Sequence, residues 1–333
     1  MSNYTDVFMR DSLSDPGTIP SPGNNPYTSP DIIPHSQVAD PNASFGGSNY
    51  NTDFGQNIES GQYSFIYARY KNLGSTAQSG IIKLYWSKTS LVMFPNTWKN
   101  QGIGLANGAS SVSFNNLAPQ AVGVGAQPFV WTPPTYDSYG YCMIGQVITP
   151  EHPSDIPEGT LTWGTFVRWV RYNPNICWKN LHVVNNLPDP QYDRLHLISN
   201  ETTGPANMTF LTKLINFPVG TIIKQICTPL SINDSVKTSP SQSFLYSGNP
   251  SVAPGFSASF EVQVILPAGG RWPSDGQVQT TSYVGIDLDD DIEDLASFVE
   301  AKEKHPLDLQ HLKTLSSGRL VEIGNNTTNF VVN

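Results

Sequence analysis

The sequence predicts an all-β protein of two immunoglobulin-like β-sandwich domains in tandem, followed by a short C-terminal helical segment and a hairpin. Three observations predict this fold class. Short runs of β-branched and aromatic residues recur along the chain, separated by turn-forming Gly, Pro and Asn. Glycine and proline number 27 each, and aromatic residues make up 11% of the chain, which is enough for packed cores. The 333 residues allow each half of the chain to bury a core of its own.

The first domain is predicted over residues 31–186, after an extended N-terminal arm (residues 1–30) that is rich in Pro, Gly, Ser and Asn. Its predicted strands cover residues 29–33, 65–74, 81–86, 141–147 and 178–184. Pro188 and Pro190 then mark a linker, because proline cannot donate to a β-ladder.

The second domain is predicted over residues 191–285. Phe260, Val262 and Val264 alternate with polar residues in the strand 257–266, as expected when one face of a strand is buried. Its other predicted strands cover residues 195–198, 208–217, 221–226 and 280–284.

The last segment, residues 286–333, is predicted as an acidic helical segment followed by terminal strands. Ile292, Leu295 and Phe298 fall on one helical face. A hairpin is expected between residues 320–323 and 330–332, because Gly and Asn lie between them.

Several motifs in the first half occur together. They are the Arg-Asp…Asp-x-Gly pattern of residues 10–17, Ser-Pro-Asp-Ile at 29–32, Asn-x-Gly at 72–74, Leu-Tyr-Trp at 84–86, the Cys-containing strand 141–147 and Trp-x-Asn at 178–180. Over residues 6–185 this set resembles the CARDB-like, immunoglobulin-type adhesion modules of bacterial secreted and surface proteins. The resemblance implies a sandwich fold with a binding role, and it brings no catalytic residues. Tyr141, where relatives have His, and Leu73, where they have Arg, depart from the pattern.

The three cysteines, Cys142, Cys177 and Cys227, form no Cys-x-x-Cys pair, so the sequence does not indicate a zinc site. Their odd number argues against a disulfide scaffold. Two interpretations stay open: a Cys142–Cys177 bridge, or buried free thiols.

The sequence predicts that the protein is not an enzyme. It contains no His-Glu-x-x-His, no Gly-x-Ser-x-Gly and no Gly-x-x-x-x-Gly-Lys motif. No cofactor is predicted beyond a calcium ion at Asp287, Asp289 and Asp291, whose alternating carboxylates have suitable spacing for Ca²⁺. Two other interpretations stay open: these acids begin a helix and complement its dipole, or the acidic segment docks onto a partner.

Six of the seven tryptophans lie between residues 86 and 178, and core packing is one explanation for them. Trp98, Trp131 and Tyr136 occur in loop-like sequence and are therefore the candidate binding surface, within the long loops predicted at 95–118 and 127–139. Arg168 is a further candidate, because residues 166–171 can be interpreted as a strand with arginine on one face.

The net charge of −9 and the absence of a basic stripe exclude nucleic acid as the expected partner. No stretch reaches the ~20 apolar residues of a transmembrane helix. The first residues lack the features of a signal peptide, so the predicted location is extracellular or cell-surface by a signal-peptide-independent route, and otherwise cytoplasmic.

Two functions remain at this level. The first is a structural or adhesive protein that binds itself, a partner protein or a surface glycan. The alternative is a secreted or injected β-rich toxin or effector subunit that acts on a target cell. Leakage of liposomes separates the two, because a pore-forming protein must insert strands into lipid.

Overall fold

A computed structural model describes residues 2–21, 27–88, 94–134, 139–153, 156–159, 161–181, 183–184, 192–286 and 319–330. The regular structure in these residues is almost entirely β. The strands up to residue 184 are β1 (Ser2–Asn3), β2 (Val7–Phe8), β3 (Thr18–Ile19), β4 (Ile32–His35), β5 (Ile58–Glu59), β6 (Ser64–Asn72), β7 (Gln78–Lys88), β8 (Gly102–Ile103), β9 (Val112–Leu117), β10 (Val122–Val124), β11 (Phe129–Trp131), β12 (Tyr141–Ile148), β13 (Ile176–Leu181) and β14 (Val183–Val184). The later strands are β15 (Tyr192–Asn200), β16 (Ala206–Ile215), β17 (Ile222–Cys227), β18 (Ile232–Lys237), β19 (Phe244–Tyr246), β20 (Ser251–Val252), β21 (Phe256–Ile265), β22 (Gln277–Ile286) and β23 (Arg319–Asn329). The α-helices are α1 (Pro41–Phe45) and α2 (Trp163–Tyr172).

The first half of the chain forms an immunoglobulin-like sandwich. One sheet is arranged around β6, which pairs with β2, β4, β10 and β11, and the other has the order β13-β12-β7-β8 with β9 also on β7. Apolar side chains of both sheets, such as Ile66 and Met143, meet in one core. The long predicted strands of this half are therefore confirmed, whereas the predicted loops at 95–118 and 127–139 contain β8, β9 and β11.

The second half forms another sandwich of antiparallel sheets. Their orders are β15-β21-β17-β18 and β19-β16-β22-β23, with β20 also on β16. The predicted alternation in β21 is confirmed, since Phe260, Val262 and Val264 are fully buried. The predicted helical segment falls on residues 287–318, outside the described residues.

The expected C-terminal hairpin is wrong. Residues 319–329 form one strand, β23, which pairs along the whole of β22 from Gln277↔Asn329 to Ile286↔Arg319. Gly324, taken as a turn residue, lies inside the ladder opposite Ser282, next to an irregularity of register between Ser282 and Tyr283. A bulge therefore explains the glycine that the sequence pattern assigns to a turn.

Residues 166–171 are helical, which corrects the interpretation of this stretch as a strand. The Thr162 hydroxyl accepts a hydrogen bond from the Thr165 N–H and caps α2. Trp163, Phe166 and Trp169 are spaced three residues apart and pack together on the buried side of α2.

The two sandwiches share a core. Strand β12 is buried from Tyr141 to Val147, because one face of its sheet packs inside the first sandwich and the other meets α2. The side chains of β12 that meet α2, together with α2 itself, belong to the same buried cluster as Phe210, Phe260 and Ile323 of the second sandwich. This continuity fixes the orientation of the two halves.

The register of β12 and β13 settles the cysteine question. Cys142 lies opposite Asn180 and Cys177 lies opposite Gly145. The two thiols therefore point to opposite faces of the sheet, since side chains alternate along a strand. All three cysteines are free and buried, so the disulfide interpretation is wrong.

The N-terminal arm is partly built into the first sandwich, because β2 pairs with β6 and its side chains are buried. The motif residues Arg10 and Asp31 meet Arg69 of β6 in a buried cluster. The Asp31 carboxylate accepts hydrogen bonds from Arg10 Nη2 at 2.7 Å and from Arg69 Nε at 2.8 Å. The Arg10 guanidinium also stacks 3.4 Å from the ring centroid of Tyr50. The pattern that carries the family resemblance therefore has a structural role here.

None of the helices in the described part of the chain has the length and hydropathy needed to cross a bilayer.

Candidate functional site

A polar groove of about 490 Å³ lies between the two sandwiches. Both halves of the chain contribute side chains to it. The lining residues are Tyr27, Thr28, Pro34, Asp53, Gly55, Gln56, Asn57, Lys179, Asn180 and Leu181 from the first half, and Gln277, Gln279, Asn325 and Thr327 from the second half. The volume is in the range of small-molecule binding sites.

The contribution of the second half follows from strand alternation. Val278 and Thr280 of β22 are buried, so Gln277 and Gln279 take the opposite face. Thr327 of β23 lies directly opposite Gln279. Side-chain hydrogen bonds order this face: Gln279 Nε2 donates to Gln277 Oε1 at 3.3 Å, and Thr327 Oγ1 donates to Asn325 Oδ1 at 3.1 Å.

The contribution of the first half contains one ion pair. Lys179 Nζ lies 2.9 Å from Asp53 Oδ1 and also donates to the Ser29 carbonyl at 2.9 Å. The lysine side chain is buried while the aspartate is exposed. Because these are the charged residues of the described lining and they neutralise each other, the groove as a whole is close to neutral.

Two hydrogen bonds join the halves beside the groove. Asn180 Nδ2 donates to the Asn325 carbonyl at 2.8 Å, and the Tyr27 hydroxyl donates to the Ile323 carbonyl at 2.8 Å. Together with the shared core they hold the two sides of the groove at a fixed separation. The groove is therefore largely preformed, which lowers the entropic cost of binding.

The lining has the chemistry of a binding site for neutral, hydrogen-bonding ligands. Its side-chain amides and hydroxyls both donate and accept hydrogen bonds. The described lining residues include no histidine, cysteine or serine.

The structure corrects the predicted exposure of two candidate residues. Trp98 is completely buried and packs against Tyr85 and Trp169. Trp131 is also buried, between Trp86 and Tyr141. The prediction of exposure was wrong because the sequence around both residues is loop-like, whereas each ring points from a short stretch of regular structure into a core.

The remaining candidates do not meet in one site. Arg168 is exposed on α2, with its guanidinium 5.2 Å from the ring centroid of Tyr172, and it does not line the groove. The other predicted residues, Tyr136 for binding and Asp287, Asp289 and Asp291 for calcium, lie outside the described residues.

Side chains that can ligate a metal come together at another place. Asp6, Glu151 and His152 each offer a ligand atom, and these atoms lie within 4.8 Å of one another. The sequence prediction missed this group, because Asp6 belongs to the N-terminal arm and the other two follow β12, with no local motif to connect them.

Comparisons with known proteins give remote matches. No protein-family model matches the chain, and no curated protein matches it. Among solved structures, the chain is similar to the CARDB domain of a Pyrococcus furiosus protein in complex with di-metal ions, with 18% identity, 38% of this chain and 78% of that chain covered, and a TM-score of 0.21.

Two further structures are similar over more of the chain. One is the calcium binding domain CBD12 of CALX1.1, with 9% identity, 83% of this chain and 96% of that chain covered, and a TM-score of 0.20. Another is the Enterococcus faecalis MSCRAMM ACE, described as binding its ligands by the collagen hug model, with 10% identity, 83% and 91% coverage, and a TM-score of 0.20. At such TM-scores the likeness carries no functional argument, and membership of the CARDB family stays a prediction.

Proposed function

We propose that this protein is a non-catalytic binding protein of structural or adhesive type, and that its ligand is a neutral glycan segment held in the groove between the sandwiches. The observation that carries the proposal is the lining itself: side-chain amides and hydroxyls from both halves surround about 490 Å³ of space, with the charges paired.

The neutral lining favours a glycan over a charged ligand. Sugar hydroxyls donate and accept hydrogen bonds, and amide side chains match both roles. A strongly charged ligand would leave its charge without a partner in the groove, because Lys179 is already paired with Asp53.

Buried nucleophiles and bases support a non-catalytic role. Burial raises the pKa of the Cys142 thiol to about 12 and also raises the pKa of Cys177. Burial lowers the pKa of His196 to about 3, and neither of its buried ring nitrogens has a hydrogen-bond partner among the described residues. None of these groups lines the groove.

The pore-forming alternative receives no support from the strand with the cleanest alternation. Strand β21 lies in the middle of its sheet, with β15 on one side and β17 on the other. Its release onto lipid would require the sheet to be broken along both edges. We therefore expect no leakage from liposomes at concentrations at which the protein binds its ligand.

A screen against immobilised neutral oligosaccharides, followed by calorimetric titration, tests the proposal. Replacing Gln279 with Ala should weaken binding of the selected glycan about tenfold, the effect of one lost hydrogen bond. Gln263→Ala is the matched control. Gln263 donates a hydrogen bond to Glu261 on its own strand, as Gln279 does to Gln277, but it lies outside the groove.

Equal affinities of the Gln279→Ala and Gln263→Ala variants would contradict the proposed site. The absence of binding to every neutral oligosaccharide in the screen would contradict the proposed ligand.

A further inference from the structure

We infer that Asp6, Glu151 and His152 form a binding site for a divalent transition-metal cation of the zinc class, which fixes the N-terminal arm to the loop after β12. The site shares no residue with the groove.

The geometry places the three ligands around one point. His152 Nδ1 lies 2.7 Å from Asp6 Oδ2, and the ligand atoms of all three residues lie within 4.8 Å of one another. Two ligands of a tetrahedral ion with bonds of about 2.1 Å are roughly 3.4 Å apart. Asp6 Oδ2 and His152 Nδ1 are closer than this spacing, so a bound ion would replace their direct hydrogen bond and move the two atoms about 0.7 Å further apart. The exposed Glu151 side chain would rotate to complete the set.

Asp6 supplies a second, independent indication of a ligand. Its side chain is fully buried, and Oδ1 has no hydrogen-bond partner among the described residues. The Oδ2 atom, in contrast, faces the Thr149 hydroxyl and His152 Nδ1. A buried carboxylate oxygen without a partner is costly, and a bound cation would compensate it.

The surrounding contacts hold the ligands in place. The Leu73 N–H donates to the Asp6 carbonyl at 3.1 Å, directly before β2 joins β6. The His152 N–H donates to Thr149 Oγ1 at 3.1 Å, which shapes the turn after β12. Gln78 Nε2 donates to Glu151 Oε1 at 3.2 Å. Such outer contacts orient the ligands of metal sites.

The donor set indicates the class of metal. One imidazole nitrogen with two carboxylates suits zinc and similar transition ions, whereas calcium and magnesium take oxygen ligands. Three protein ligands leave at least one coordination position for water. The expected consequence is local: the metal joins residue 6 of the arm to residues 151 and 152.

The test is calorimetric titration of the tag-free full chain with zinc, after treatment with a chelator. We expect one ion per chain bound at this site. Glu151→Gln and His152→Gln should each weaken zinc binding by at least about tenfold, since even the loss of outer contacts costs that much. Both residues are at least partly exposed, so these variants test the site without the folding risk of Asp6→Asn.

Glu158→Gln and His35→Gln are the matched controls, because they remove an exposed carboxylate and a histidine elsewhere. Hydrogen exchange of residues 2–9 supplies a second readout, and it should slow when zinc is added to the wild type and not to His152→Gln. Zinc binding that is unchanged in both ligand variants, or the absence of zinc binding at millimolar metal, would overturn the inference.

Discussion

Asp31 shows how a sequence motif becomes a structural centre. Its carboxylate is completely buried and accepts hydrogen bonds from the backbone and guanidinium of Arg10 and from Arg69. Arg69 also donates to four backbone carbonyls, those of Pro30, Phe45, Asn49 and Thr52. The cluster connects the N-terminal arm, the start of β4 and the centre of β6.

Removal of the charge at residue 31 should destabilise the fold strongly. Asp31→Asn leaves two buried guanidinium groups without their counterion, and we expect a loss of about 3–5 kcal/mol in the free energy of unfolding. Denaturant unfolding provides the measurement. The control is Asp53→Asn, which removes the exposed partner of the buried Lys179; because Lys179 Nζ still donates to the Ser29 carbonyl, the loss should be smaller, about 1–2 kcal/mol. Similar losses of unfolding free energy in the two variants would contradict a dominant contribution of the Asp31 cluster to stability.

His196 should make the stability of the protein depend on pH. Burial, together with the positive charge of Arg194, lowers its pKa in the folded protein to about 3, whereas an unfolded chain has the ordinary value of about 6.5. Between these values the unfolded state binds a proton that the folded state rejects. The contribution of His196 to the free energy of unfolding is therefore fully present above pH 6.5. It is lost as the pH falls toward 3, by up to about 1.4 kcal/mol per pH unit.

The variant His196→Phe removes this contribution. We expect its free energy of unfolding to fall less steeply than that of the wild type between pH 6.5 and 4, in denaturant titrations at several pH values. His35→Phe retains the buried histidine and should keep the wild-type slope. Parallel curves for wild type and His196→Phe would contradict the assignment.

At the scale of single elements, sequence patterns predicted most of the long strands. β6, β7, β12, β16 and β21 lie where runs of β-branched and aromatic residues predicted them. Helix α2 was missed because its aromatic content resembles a strand, although Thr162 at the N-cap and the three-residue spacing of Trp163, Phe166 and Trp169 indicate a helix. Short strands such as β8 and β11 were missed because two or three residues are too few to show the alternation of apolar and polar side chains that predicts a strand.

β23 should be essential to the second sandwich. It covers the edge of β22 and supplies the carbonyls of Ile323 and Asn325 that bind the first half. Deletion of residues 319–333 should lower Tm by more than about 5 °C and promote aggregation, because an unpaired β22 edge is exposed. Deletion of residues 331–333 alone keeps β23 and should leave Tm unchanged in a thermal melt. Equal Tm values for the two deletions would contradict this role.

The candidate sites could not be predicted from the sequence, because they arise between distant segments. Asp6 and His152 are 146 positions apart, and the groove combines residues 53–57 with residues 277–279. Each segment by itself has an unremarkable polar composition. The tryptophans that attracted attention as binding residues are instead the largest side chains available to fill the cores.

At the scale of the whole molecule, the shared core joins the two sandwiches into one packed unit. Residues of α2, of the sheet containing β12 and of the second sandwich lie in a single buried cluster. The two sides of the groove come from different sandwiches. A ligand in the groove must therefore contact both halves at once.

Hydrogen exchange with and without the selected glycan measures whether the ligand contacts both halves of the groove. We expect slower exchange on both sides of the groove, in peptides that contain residues 53–57 and 179–181 of the first half and residues 277–279 and 325–327 of the second half. Protection confined to one sandwich, or to surfaces away from the groove, would contradict this expectation.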